Sequence, residues 1–102
     1  MQDNHIEISG VICKVGETSR SPSGVPHTRF MIDHRSTQLE SGQERRVECR
    51  VSLQLSGDEY AQERERLLVG EAVNLEGFLT KNSFRDDPSW TKLQVTKITF
   101  LD

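Results

Sequence analysis

Strict alternation of apolar and polar residues constrains the fold of this chain more than any other feature, and it is clearest over residues 47–55. The apolar members are Val47, Cys49, Val51, Leu53 and Leu55. Successive side chains of a β-strand point to opposite faces of the sheet. The pattern therefore predicts a strand with one buried face and one solvated face.

Four further stretches alternate in the same way, which predicts five strands in all. Their predicted bounds are Ile6 to Cys13, Thr28 to Ser36, Arg45 to Leu55, Ala72 to Thr80 and Trp90 to Leu101. Val11 and Cys13 join the inward residues of the first strand, and Leu79 is inward in the fourth. We expect a bulge or bend at Gly10 and a bulge near Thr96 and Lys97.

The segments between the strands are rich in turn residues. Gly16 to Pro26 contains two prolines and two glycines, which predicts a loop. The polar connector between strands two and three turns at Ser41 and Gly42 and is short enough for an antiparallel hairpin.

One stretch, residues 57–69, breaks the alternation and predicts a short helix, with an irregular loop as the alternative. Ser56 and Glu59 have the spacing of a capping box. Gly70 suits the position that ends a helix, and Tyr60 is expected to contact the barrel.

The predicted order is three strands, a helix and two strands, which is typical of a five-stranded OB-fold barrel. A sandwich of the same strands is the alternative. At 102 residues the chain is expected to form one domain, residues 1–102, with a thin core, because only 33% of its residues are hydrophobic. Phe30 and Phe100 are expected in that core.

The net charge of −3 does not favour nucleic acid by itself. Segment 58–76 holds six acidic residues and two arginines, a balance of −4, which leaves the rest of the chain at +1. The acidity is therefore concentrated in one patch, and a nucleic-acid partner stays possible.

Catalysis and cofactors are not indicated by any motif. The three histidines lack carboxylates or cysteines at ligand spacing, and neither a P-loop nor a nucleophile elbow is present. Cys13 and Cys49 stand alone on apolar stretches and are expected to be buried reduced thiols. Because catalytic motifs are not found, we expect a protein that is not an enzyme. We expect it in the cytoplasm, since a secretory signal and a membrane span are not apparent.

Several motifs resemble the primosomal replication protein N (PriB) family, of the single-stranded-DNA-binding-protein-like OB-fold group. The most specific are Pro22-Ser23-Gly24-Val25-Pro26-His27, Phe30 and His34-Arg35-Ser36. Other matching positions are Glu40, Gly42, Cys49, Ser56-Gly57, Val69-Gly70, Gly77-Phe78 and Leu101-Asp102.

The resemblance implies a homodimer that binds single-stranded DNA and helps reload the replication machinery at stalled forks, alongside the PriA helicase and DnaT. The first strand, Ile6 to Cys13, is the expected shared element. Arg35 matches a family arginine used on DNA, Arg85 a basic position of the four–five loop, and Arg20 lies near a basic position of the first loop.

This chain departs from the family at four positions. Glu48 stands where a DNA-contacting tryptophan is expected, and Gln43 replaces an aromatic residue. Ser83 and Trp90 stand where lysines are expected in the four–five loop.

Single-strand binding needs cations for phosphates and aromatic faces for bases. Arg29, Arg35, Arg46 and Arg50 share the outward parity of strands two and three and are candidates for the phosphates. The alternative is a solvated face on which Arg46 and Arg50 pair with Asp33 and Glu48.

Phe84 and Trp90 are candidates for a stacking platform, together with the cations Lys81, Arg85 and Lys92. Alternatively, Trp90 packs against the end of the barrel.

Base-reading side chains are not evident, so little dependence on base identity is expected. A protein-interaction adaptor that uses the acidic patch, or an RNA-binding module, are the competing functions.

Overall fold

A computed structural model describes residues 2–81 and 91–101. The strands are β1 (Ile6–Arg20), β2 (Pro26–Glu40), β3 (Gln43–Ser56), β4 (Ala72–Lys81) and β5 (Thr91–Phe100). Between β3 and β4 lie a 3-10 turn, Asp58–Tyr60, and the short helix α1, Ala61–Glu65. Within the described residues, none of the helical segments has the length and apolar character that crossing a membrane requires.

The five strands close into a barrel in the order β1-β2-β3-β5-β4, with β4 returning to β1. All neighbouring pairs are antiparallel except β3 and β5, which pair in parallel at Leu53 with Leu93 and at Gln54 with Gln94. The short helix lies between β3 and β4. The OB-fold prediction is confirmed, and the alternative of a sandwich is wrong.

The barrel interior is filled by the inward parity of all five strands and by Leu67 after α1. Its buried members are Ile12, Phe30, Ile32, Leu53, Leu55, Leu67, Val73, Leu75, Leu93 and Val95. Phe30 is therefore a core residue as expected, and Phe100 packs against the core while staying partly exposed. This packing holds the polar parity of β2 and β3 on the outside of the barrel.

The strands are longer than the alternation predicts. β1 continues to Arg20, because Thr18 to Arg20 pair with Thr28 to Pro26, so the expected loop is reduced to a turn at residues 21–25. β2 and β3 pair without interruption to Glu40 and Gln43. Ser41 and Gly42 form the two-residue turn with φ of 53° and 78°, as a tight hairpin requires.

The end of this hairpin extends beyond the buried core, and its inward side there is less covered by the described residues. Cys49 is exposed for this reason, and the expectation that it is a buried thiol is wrong. Cys13 is half-buried. Leu39 is 77% exposed near the hairpin tip.

The helical segment is shorter than the predicted 57–69 and ends at Glu65. The predicted capping box is wrong, since Gly57 is the N-cap and the first turn receives no side-chain cap. The Ser56 hydroxyl instead bonds with His27, Gln54 and Gln94. Gly70 does not end the helix but belongs to a separate turn, in which Glu71 N–H donates to the Leu68 carbonyl.

Two side chains hold the helical segment on the barrel. Arg64 donates to the Thr28 hydroxyl at 2.7 Å and to the Leu55 and Gly57 carbonyls. The Tyr60 hydroxyl donates to the Thr96 carbonyl at 2.8 Å, which confirms the expected contact of Tyr60 with the barrel. Burial and the neighbouring glutamates raise the pKa of Tyr60.

Register shifts interrupt two of the strand pairs. The register of β4 and β5 shifts at Thr96, which confirms the bulge expected near Thr96 and Lys97. β1 bulges between Ile12 and Lys14 and between Val15 and Thr18 instead of at Gly10.

Leu79 and Val11 are 46% and 44% exposed, so their expected inward orientation is wrong.

Candidate nucleic-acid interface

The outward parity of β2 and β3 forms one continuous surface, which we call the β2–β3 face. Its cross-strand pairs are His27 with Ser56, Arg29 with Gln54, Met31 with Ser52, Asp33 with Arg50, Arg35 with Glu48 and Thr37 with Arg46. Directly opposite residues on one side of an antiparallel pair lie close enough for their side chains to interact. The face therefore divides into a charged half on the hairpin and a polar half beside β5.

On the charged half, one arginine is neutralised by a specific partner. Arg50 Nε donates to Asp33 Oδ1 at 2.9 Å, and this hydrogen bond and the charge of Asp33 raise the pKa of Arg50. The Arg50–Asp33 pair expected on a solvated face is therefore present. Arg35 lies opposite Glu48, and Arg46 lies opposite Thr37. Within the described residues, Arg35 and Arg46 make no ion pair.

On the polar half, five side chains form a hydrogen-bonded group, which we call the polar cluster. Its members are His27, Gln54, Ser56, Lys92 and Gln94. Gln54 is at its centre and only 8% exposed, although it lies on the outer side of the barrel. The other members cover it, because the parallel pairing of β3 with β5 sets Gln94 beside Gln54.

The donor chemistry of this cluster determines its orientation. Lys92 Nζ only donates, so the Gln54 atom 2.7 Å away is the carbonyl oxygen. The Gln54 amide nitrogen then donates to His27 Nδ1 at 3.1 Å and to the Ser56 hydroxyl at 3.0 Å. With Nδ1 accepting, the proton of neutral His27 is assigned to Nε2.

The amide orientation of Gln94 also follows from its hydrogen-bond partners. Its amide nitrogen donates to the backbone carbonyl of Gln54 at 3.3 Å and to the Ser56 hydroxyl at 3.1 Å. A carbonyl can only accept, so the nitrogen must face it, and Gln94 Oε1 points away from the cluster.

Cations flank the polar cluster. Arg29 lies opposite Gln54, and burial together with the charge of Arg29 lowers the pKa of Lys92. Lys14 of β1 and Arg29 also line a hollow of about 180 Å³ over Met31. These positive charges suit this end of the face to an anionic polymer.

The other predicted site residues are placed elsewhere or lie outside the described part of the chain. Arg20 donates to the Gly24 carbonyl at 2.9 Å and lies 3.9 Å from Asp58, beside the helical segment and away from the face. Lys81 ends β4 opposite Thr91, one step from the pair of Thr80 with Lys92. Phe84, Arg85 and Trp90 lie outside the described residues.

Comparison with known proteins identifies the family. A family described as "another single-strand binding protein family" matches residues 4–95. Replication restart protein PriB of Yersinia pseudotuberculosis is 34% identical over 102 residues, which cover 100% of this chain and 97% of that protein. The protein of that name from Klebsiella pneumoniae is 34% identical over 99 residues, which cover 97% and 95%. The chain belongs to the PriB family.

Solved structures support the same fold. PriB of Ralstonia solanacearum superposes with a TM-score of 0.81 at 16% identity, covering 98% of this chain and 100% of that one. The single-stranded DNA binding protein of Thermus aquaticus superposes with a TM-score of 0.74 at 20% identity, covering 97% and 50%. At these identities the likeness establishes the OB-fold alone.

The resemblance to the PriB family predicts aromatic residues at two positions of the β2–β3 hairpin where this chain has polar ones, Gln43 and Glu48. Glu48, at the expected tryptophan position, lies opposite Arg35 and brings a negative charge to the face. Sequence reasoning missed five residues on or beside the face: Lys14, His27, Gln54, Ser56 and Gln94. The outward parity of Gln54 and Gln94 was a usable signal, but the parallel β3–β5 pairing that joins them was not predictable from alternation.

Proposed function

We propose that this chain is a single OB-fold domain that binds single-stranded DNA without catalysing a reaction and acts in replication restart. The match to PriB along the whole chain carries the proposal. The cations Arg29, Arg35, Arg46 and Lys92 on or beside the β2–β3 face support it, because that face is where OB-folds bind oligonucleotides. In this role the protein works in the cytoplasm, with the PriA helicase and DnaT as partners.

Charge on the face is expected to set the affinity for DNA. Arg35→Ala removes a cation and should weaken binding of labelled oligo-dT about five- to tenfold, since charge-assisted contacts with phosphate are strong. Glu48→Gln removes the opposing negative charge and should tighten binding about two- to fivefold. Fluorescence anisotropy titration at low salt measures both.

Glu65→Gln is the matched control for Glu48→Gln, because Glu65 is exposed on α1 and both substitutions change the net charge by the same amount. It should leave the affinity nearly unchanged. An Arg35→Ala variant that binds as tightly as the parent would contradict this assignment of the face.

We propose a homodimer formed through β1. β1 pairs with β4 over Ile6 to Val11, but its pairing with β2 begins only at Val11. Within the described residues, the second edge of Ile6 to Gly10 therefore lacks a strand partner, and Val11 beside it is partly exposed. Open strand edges are typical sites for pairing with a second chain.

Sedimentation equilibrium at tens of micromolar should give twice the monomer mass. Glu7→Pro removes a backbone donor from the open edge, because Ile12 N–H bonds to the Glu71 carbonyl beside β4 and Glu7 has the opposite parity, and it should shift the mass toward the monomer. Pure monomer for the parent protein would rule out the homodimer.

The second candidate function is a protein-interaction adaptor with weak DNA binding. The exposed apolar residues Leu68 and Val69 lie between the acidic residues Glu65 and Glu71 and favour it. An RNA-binding module is tested by the same titrations with oligo-U, since base stacking accepts either sugar. Binding to neither oligomer at low salt would favour the adaptor.

A further inference from the structure

The polar cluster has two partly exposed ends that the structure leaves available for a ligand. The polar side-chain atoms of Gln54 and Ser56 all make hydrogen bonds within the cluster. His27 Nε2 and Gln94 Oε1 make no hydrogen bond within the described residues, and both side chains are half-buried. With the proton of His27 on Nε2, the cluster presents one donor and one acceptor.

We propose that the polar cluster reads the edge of one nucleobase, through His27 Nε2–H as donor and Gln94 Oε1 as acceptor. The proposal rests on the function proposed above and assigns this part of the face a base in place of a phosphate. The Watson–Crick edge of every nucleobase carries donors and acceptors side by side, in an arrangement that differs between bases and that polar side chains read by hydrogen bonding.

The acceptor argues against a phosphate at this position. Phosphate oxygens only accept hydrogen bonds from a protein, so they would meet Gln94 Oε1 without a proton between them. Gln94 cannot turn its nitrogen outward without losing its bonds to the Gln54 carbonyl and the Ser56 hydroxyl. The flanking cations Arg29 and Lys92 suit the phosphates on either side of the base.

The polar cluster is also preorganised for a ligand. The orientation of both glutamines is imposed by Lys92 and by a backbone carbonyl, so the two outward atoms are held in place before any ligand arrives. A site of this kind discriminates between ligands, because a base with the wrong edge leaves polar groups unpaired. The expectation of little base dependence is therefore revised for this one position.

The test compares homopolymers of thymidine, cytidine and adenosine of equal length, whose phosphate contacts are the same. Fluorescence anisotropy should show that the parent protein binds one of them at least about fivefold more tightly than another. Gln94→Leu and His27→Phe should each reduce that ratio at least about threefold, with an unchanged salt dependence. His27→Phe keeps an aromatic ring and removes only the polar edge.

Gln62→Leu is the matched control, because Gln62 is exposed on α1. It should leave the ratio unchanged, and thermal unfolding should show that each variant is folded. Equal weakening on all three homopolymers with a smaller salt slope would mean phosphate contact and overturn the proposal. Unchanged ratios in both variants would overturn it as well, whereas a parent protein that binds none of the homopolymers would refute the proposed function itself.

Discussion

Gly77→Ala is expected to destabilise the protein by about 3 kcal/mol, which lowers the melting temperature by about 12 to 24 °C. Gly77 pairs with Val95 in β5, next to the register shift at Thr96. A Cβ atom there would lie 2.0 Å from the Gln94 carbonyl oxygen and 2.7 Å from Leu93 Cδ2. Backbone cannot yield as a flexible side chain does, so β4 and β5 would have to separate at the bulge.

Gly70→Ala is the control for this prediction, measured by thermal and urea unfolding. Gly70 has φ of 99°, but nothing lies within 4 Å of a Cβ placed there. It should cost only about 1 to 2 kcal/mol, from backbone conformation alone. If Gly77→Ala is no more destabilising than Gly70→Ala, the close approach of β4 and β5 at this position is wrong.

Binding of oligo-dT is expected to weaken about 15- to 130-fold between 50 and 200 mM salt. Engagement of three to five phosphates predicts a log–log slope of about −2 to −3.5, since each phosphate on a single strand contributes about 0.7. Arg50→Ala should reduce the slope less than Arg35→Ala, because Asp33 already neutralises Arg50. Titrations at four or five salt concentrations measure these slopes.

Lys97→Ala provides the control for the loss of a cation. Lys97 lies on β5 opposite Glu76 of β4, 3.8 Å from its carboxylate and away from the β2–β3 face. It should leave the slope unchanged. A slope near zero for the parent protein would mean that phosphates contribute little, and it would favour the protein-adaptor function.

Where the core is dense, alternation predicted the strands correctly, and it failed where strands leave the core. Leu53 and Leu55 are inward as their parity requires, but Cys49, on the same parity, is exposed. Parity specifies which side of a strand a residue occupies. Whether anything packs against that side depends on how far the neighbouring elements reach.

Local signals for the helix were reliable about its existence and misleading about its limits. Residues 58–65 are helical, but the Ser56 hydroxyl bonds to His27, Gln54 and Gln94 instead of capping the first turn. A hydroxyl at a suitable spacing has several possible partners. Contacts from distant strands decide among them, and a short helix has little intrinsic stability with which to compete.

The sequence by itself determined the positions of the strands along the chain, the inward parity that fills the barrel and the outward placement of Arg29, Arg35, Arg46 and Arg50, because these follow from the two-residue period of a strand. Only the tertiary structure decided which charges face each other and which polar groups meet. Arg50 pairs with Asp33, and Gln54 meets Lys92 and Gln94 across some 40 residues of chain. Such contacts depend on barrel closure and register, which a one-dimensional pattern does not contain.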